Sequence, residues 1–307
     1  MEKSTLQNEF INIIVKSSKD NTYKFALAKA LLDISYNSEN QEISFYQLSE
    51  LFLKYYWYQE VKYKLKQNFQ KNKQPVIISI IQKYCGEEYI YEDFDKYFSK
   101  FDEKKKNSLL SEMSRKIFND VIPRFDKNQT FYTHNYIKNG KKYKLIGEGK
   151  IFLKQREFLK ENYILLHKLV ILEWAKFLEK TNFTPRLIEK IETLNNPKRN
   201  SLKKYQKILL EIDKKRCFYC GKEVDEFHID HFIPWSYVYE DKEWNLVLSC
   251  PECNLNKKDF LPPKQYLDKL LNRNKISNLN HENRVIELYE NAQKSGFIIK
   301  ELLCEIS

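Results

Sequence analysis

Four cysteines fall into two C-x-x-C pairs, Cys217-Phe218-Tyr219-Cys220 and Cys250-Pro251-Glu252-Cys253. Two thiolates on one tight turn, repeated once, is a spacing suited to a tetrahedral structural zinc. Four thiolates leave the ion no open position, so this zinc is expected to hold structure and take no part in a reaction. Its binding energy would replace much of a hydrophobic core. The segment between the pairs, 221–249, is longer than a simple zinc ribbon needs, and it encloses side chains of another chemistry. Phosphodiester hydrolysis requires an activated water, a divalent cation on the scissile phosphate and stabilisation of the leaving oxygen. Histidine suits the first role because its ordinary pKa lies near neutrality. A carboxylate and an amide oxygen suit a hard cation such as magnesium. Asp230, His231 and Asn254 supply that set, the first two within His228-Ile229-Asp230-His231-Phe232-Ile233-Pro234 and the third directly after Cys253.

The run HIDHFIPWS, then WNLVLSCPECNLNK with the two cysteine pairs, resembles the HNH endonucleases. The resemblance covers roughly Asp213 to Leu261, about a sixth of the chain. It implies a ββα-metal fold and hydrolysis of DNA, duplex DNA being the favoured partner. By the same resemblance His231 is the general base, Asp230 and Asn254 hold the catalytic metal, and Asn245 orients the histidine-bearing loop. Asparagine at position 254, where some members carry histidine, implies magnesium or manganese in place of a softer ion. HNH proteins serve in restriction, homing and phage defence. A large helical region without a homing-type DNA-binding repeat favours restriction or antiviral defence here. Two other readings stand beside the endonuclease. One is a zinc-stabilised nucleic-acid-binding module whose nuclease geometry is vestigial. The other is a nuclease effector subunit that docks on a partner protein or on further copies of itself.

Several neighbours of these residues carry more than one reading. His228 shares the Asp230 face of a regular strand, where it would support the metal ligands, contact phosphate or simply face water. Lys257 and Lys258 sit where a helix start would face a phosphate backbone, although a lysine pair is equally a solvated surface. Trp235 and Trp244 flank the loop between the strands and are expected to pack more than to stack on bases. His134, His167 and His281 have no partner legible in the sequence, and Cys85 and Cys304 read as small buried hydrophobes. Consecutive Asp230 and His231 would face opposite ways on a regular strand, so the strand must end or bend there, as Pro234 allows.

The elements that must position this set read as an α+β chain: a mostly helical N-terminal region with a β-hairpin insertion, then a zinc-stabilised ββα-metal nuclease domain and C-terminal helices. Apolar residues recur three and four apart through Leu6–Val15, Tyr23–Ile34 and Phe45–Tyr58, and Ser44 with Gln47 has the form of a capping box. The aromatic stripe Phe45, Tyr46, Phe52, Tyr55, Tyr56 and Trp57 is at helical spacing and reads as core. Further helices are expected over Pro75–Tyr84 and Lys106–Val121. A hairpin near 130–146 turns at Asn139-Gly140, and a long helix runs from about Gln155 to Lys180. Thr184-Pro185 opens another helix, to about Leu194. The polar stretch Asn195–Asn200 is the best linker, dividing 1–197 from 198–307. After it Ser201 caps a short lysine-bearing helix through Ile212 that ends in Lys214-Lys215-Arg216. Phe227–Pro234 and Asn245–Leu248 read as strands, with a helix opening after Cys253.

Lys plus Arg outnumber Asp plus Glu by 53 to 42, a formal +11, which draws the chain toward polyanions or reflects a lysine-rich coding bias. At 42% apolar residues the 307-residue chain can build ordinary cores, about two domains by length. No uninterrupted apolar run of about 18 residues and no signal-like N-terminus is present, which leads to the expectation of a soluble, cytoplasmic protein without a membrane partner.

Overall fold

A computed structural model describes residues 2–68, 74–86, 92–192, 201–279 and 281–301. It separates into two compact units, Met1–Thr181 with Leu187–Asn196, and Asn182–Arg186 with Pro197–Ser307. The expected linker Asn195–Asn200 and the lone Cys304 lie outside the described residues.

The first unit is built on helices α1 (Lys3–Ile11), α2 (Tyr23–Asn37), α3 (Phe45–Tyr56), α4 (Val76–Cys85), α5 (Phe94–Phe98), α6 (Glu103–Phe125), α7 (Arg156–Glu161), α8 (Tyr163–Glu179) and α9 (Leu187–Glu192). Wide π-type turns extend α1 over Asn12–Lys16 and α3 over Trp57–Lys62. Both bonds of the capping box are present at α3: Ser44 Oγ accepts from the Gln47 N–H, and the Gln47 side chain accepts from the Ser44 N–H. Of the aromatic stripe only Tyr46 is exposed, and Phe52 meets Phe118 edge to face at 5.2 Å, as a core residue does.

Between α6 and α7 the hairpin forms from β3 (Tyr136–Asn139) and β4 (Lys142–Leu145), with Gly140 at φ 60° in the turn. Beside it stands a three-stranded antiparallel sheet in the order β1 (Glu42–Ser44), β5 (Lys150–Leu153), β2 (Tyr132–His134); β2 falls within the span 130–146 expected as hairpin but pairs with β5, and β1 and β5 are too short for a pattern to be read locally. The expected helix from Gln155 to Lys180 is two helices. Asn162 ends α7 by donating its side-chain amide to the Phe158 carbonyl at 2.9 Å, and it opens α8 from a non-helical backbone. Likewise α9 begins at Leu187, not at Pro185, because Arg186 takes a left-handed φ of 55°.

In the second unit Ser201 Oγ caps a 3-10 turn, Leu202–Tyr205, that leads into α10 (Gln206–Ile212). Strands β6 (His228–His231) and β7 (Leu246–Ser249) then pair antiparallel from His228↔Ser249 to His231↔Leu246. Between them lie α11 (Trp235–Val238) and a 3-10 turn, Glu243–Asn245. Helix α12 (Pro251–Lys257) opens at Pro251, earlier than expected, since the Cys250 sulfur caps it by accepting the Cys253 N–H and proline occupies its first turn. Helices α13 (Lys264–Ile276) and α14 (Glu282–Lys294) complete the unit.

The cysteines do not replace a core here. Cys217, Cys220 and Cys253 are embedded in one with Phe232, Ile233 and Val247 of the strand region, Leu267 and Leu270 of α13, and Val285 and Tyr289 of α14. On the other side of the strands Tyr205, Leu209, Leu246 and Leu248 form a second cluster that takes in Ile229. The fold is thus α+β, and among the described residues no helix is long and apolar enough to cross a membrane.

Candidate metal centre and active site

The sulfurs of Cys217, Cys220, Cys250 and Cys253 all lie within 4.8 Å of one another. Four sulfurs at about 2.3 Å from a tetrahedral zinc stand about 3.8 Å apart. Cys220 and Cys250 are already at 3.9 Å, so the spacing of the cluster is consistent with a zinc site. Burial pushes the Cys220 thiol up to about 11, a cost that metal coordination removes by taking the thiolate. At Cys217 burial acts in the same direction, but backbone N–H donors from Cys220, Cys250 and Tyr219 outweigh it and the thiol is shifted down.

Each cysteine pair sends one side chain to Asp230. Tyr219, between Cys217 and Cys220, donates its hydroxyl to Asp230 Oδ2 at 2.6 Å. Lys257, one turn beyond Cys253 on α12, sets its ammonium 3.1 Å from the same oxygen and donates to the His231 carbonyl at 2.7 Å. Its side chain is 1% exposed. Buried against Asp230, Lys257 is neither the phosphate-facing nor the solvated lysine expected and supports the carboxylate from behind, whereas Lys258 is exposed at the end of α12. The buried tyrosine hydroxyl is itself pushed well above its ordinary value, first by burial and then by the Asp230 charge, so it stays a donor.

Asn254 lies on the same helix three residues before Lys257. Its amide nitrogen is 2.8 Å from Nδ1 of the exposed His228, an arrangement that leaves Asn254 Oδ1 to face other partners. A carboxylate, an amide oxygen and an imidazole are donors that a divalent cation accepts. Among the described residues, however, no hydrogen bond joins the side chains of Asp230, His231 and Asn254 directly; Lys257 and the shared strand connect them.

His231 closes β6. Its Nε2 lies 2.8 Å from Asp241 Oδ1, a partner from the loop after α11 that no spacing in the sequence pointed to. The hydrogen bond from His231 is the first cause holding the Asp241 carboxyl below the ordinary carboxylate range. Asn245 fixes the two residues after His231. Its side chain accepts the Ile233 N–H at 2.8 Å and donates to the Ile233 carbonyl at 2.9 Å, while its own carbonyl accepts the Phe232 N–H. Behind Asn245, Arg273 of α13 donates to the Leu246 carbonyl and Asn274 to the Trp244 carbonyl, both at 2.8 Å.

Trp235 and Trp244 are buried and pack. The remaining histidines have neighbours in their own units: His134 packs on Tyr136, His167 lies 3.9 Å from Asp33, and His281 meets Trp244. Tyr219 and Asp241 escaped the sequence reading. Only the position of Tyr219 inside a metal-binding turn hinted at a role.

Two antiparallel strands, a helix started by a cysteine pair, and a histidine and carboxylate at the end of the first strand make a ββα unit that carries a four-cysteine cluster consistent with a zinc site. Residues 217–260 match the HNH endonuclease family, so the chain carries an HNH domain toward its C-terminus. No curated protein and no solved structure matches the chain.

Proposed function

We propose that the protein is a metal-dependent endonuclease that hydrolyses DNA phosphodiester bonds, acting in the cytoplasm in restriction or antiviral defence. The HNH domain points to a nuclease and a nucleic-acid substrate. The observation that carries the finer reading is the placing of Asp230 and His231 at the end of β6 opposite Asn254 on α12, all in the unit that gathers the four cysteines. Asp230 and Asn254 would hold magnesium or manganese by oxygen, and the cation would supply positive charge at the scissile phosphate and the departing 3′ oxygen. His231 takes the proton from the water that attacks in line, giving a 5′ phosphate and a 3′ hydroxyl. Asn245 holds the chain after His231 in place, and Lys257 with Tyr219 fixes the Asp230 carboxylate. The exposed Lys203, Lys204, Lys207 and Lys258 are available for phosphates. The defence role rests on the large helical first unit, which offers a surface for a partner subunit or a second copy.

The test is cleavage of plasmid and linear DNA with magnesium or manganese, by wild type and by His231→Ala with its zinc retained. Loss of cutting in the variant alone is the expected result, and equal cutting sinks the assignment. One observation favours the binding-module reading: the Asp230 charge is already matched by Lys257. No cleavage of any DNA by the zinc-loaded wild type, together with tight binding, would support that reading.

A further inference from the structure

The contact between His231 and Asp241 determines more than the position of a ring. We propose that Asp241 is the positioning residue of His231, fixing the tautomer in which Nε2 carries the proton and Nδ1 is the nitrogen that accepts one from water. The proton-accepting role rests on the nuclease reading above; the tautomer does not. An ionised carboxylate only accepts hydrogen bonds, so the imidazole nitrogen 2.8 Å from Asp241 Oδ1 must be protonated in the neutral ring. Among the described residues no hydrogen bond occupies Nδ1. The side chains are 7% and 14% exposed, so water competes weakly for the contact.

Asp241 is held from its own side. Its backbone carbonyl accepts the Tyr205 hydroxyl at 2.9 Å. Its neighbour Glu240 is paired with Arg284 of α14 at 2.7 Å and lies 3.8 Å from Arg186. Tyr239, in a left-handed conformation at φ 54°, turns the chain back and packs its ring on Trp235 at 4.5 Å. A loop anchored at three successive residues can hold a carboxylate in one place, which is what orienting a base requires.

Two measurements on the zinc-loaded full chain test this. Nitrogen-15 NMR of labelled histidine at mildly alkaline pH, assigned by loss of the signal in His231→Ala, should show Nε2 protonated and Nδ1 bare. A protonated Nδ1 overturns the proposal. In Asp241→Asn the side-chain amide can turn its NH2 toward the ring and favour the opposite tautomer, so the signature should change. Where the wild type cuts DNA, Asp241→Asn should lower kcat by about 10²- to 10⁴-fold with KM and zinc content held, and Asp241→Glu should recover part of it. Unchanged kcat in Asp241→Asn also overturns the proposal. A wild type that cuts nothing but shows the Nε2–H tautomer defeats the nuclease reading and leaves the positioning of His231 standing.

Discussion

Replacing Lys257 by methionine probes the interior of the site with little change of shape. Methionine keeps an unbranched stem of similar length and removes the ammonium, which lies 3.1 Å from Asp230 with both side chains nearly out of water, at 1% and 11% exposure. At an effective dielectric of about 20 the pair attracts by roughly 5 kcal/mol before desolvation is counted. What the substitution costs is set by the charge left behind. Asp230 would keep the Tyr219 hydroxyl at 2.6 Å but no cation, and the His231 carbonyl would lose its donor. Breaking a buried pair from one side costs about 3 to 5 kcal/mol, a large share of a domain's stability of about 5 to 15.

Asp230→Asn with Lys257→Met removes both charges together and should cost less than the two single changes added, with a coupling of about 2 to 3 kcal/mol. Urea unfolding followed by tryptophan fluorescence, in zinc-loaded protein without magnesium, measures all four corners of the cycle. A single Lys257→Met variant within about 0.5 kcal/mol of wild type, or strictly additive changes, would show that the two charges are not coupled. If Asp230 binds a divalent cation, that cation competes with the ammonium. Magnesium should then restore stability to Lys257→Met and not to the double variant.

Two further outcomes follow from the same physics. A strong chelator, or Cys250→Ser, should abolish the unfolding transition of the second unit and spare that of the helical unit, because structural zinc contributes about 10 to 16 kcal/mol in small domains; calorimetry showing both transitions intact after zinc loss would contradict this. In the first unit Glu112 receives Lys83 at 2.6 Å, Lys116 at 2.8 Å and the Tyr84 hydroxyl at 3.0 Å, and its carboxyl is held at about 2, first by the Lys116 hydrogen bond and then by that of Lys83. A carboxyl depressed by folding stabilises above its unfolded pKa of about 4.3 and loses that contribution as pH falls toward 2. Glu112→Gln should therefore be less stable at neutral pH and show a flatter acid limb in pH-dependent denaturation; parallel curves for the two proteins would exclude it.

Legibility in the sequence followed the range of the interaction. The capping box at Ser44, the turn at Gly140 and the cysteine spacing each depend on residues within a few positions, and each has a recognisable local form. The break at Asn162 was hidden because the apolar period continues across it, while the Asn162 side chain and backbone N–H both bond to the Phe158 carbonyl and the backbone leaves the helical region there. Strand β5 pairs with β1 from the far side of α3 to α6, and neither strand has the length for an alternating pattern to register. Asp241 stands ten residues beyond its histidine in a polar loop, where an acidic residue is the ordinary expectation. Its role exists only because the chain turns back at Tyr239.

The consecutive pair Asp230 and His231 shows why period alone falls short at such a site. Alternation along a strand assigns the two side chains to opposite faces, which is compatible with one site only if the strand ends or bends. The strand does end, its last rung being His231↔Leu246, yet both residues are buried because each face has its own cover. Tyr219 and Lys257 close over Asp230, and the Asp241 loop closes over His231. The first cover comes from both cysteine pairs at once, since Tyr219 lies inside one and Lys257 one turn past the other. A metal that merely closed a loop would tie 217–220 to 250–253 and nothing more. Here a metal that drew the four sulfurs together would also bring a hydroxyl and an ammonium onto one carboxylate, coupling the geometry at Asp230 to that metal through two separate arms. The coupling is open to measurement: Tyr219→Phe and Lys257→Met should each weaken zinc retention against a chelator, although neither side chain is a ligand.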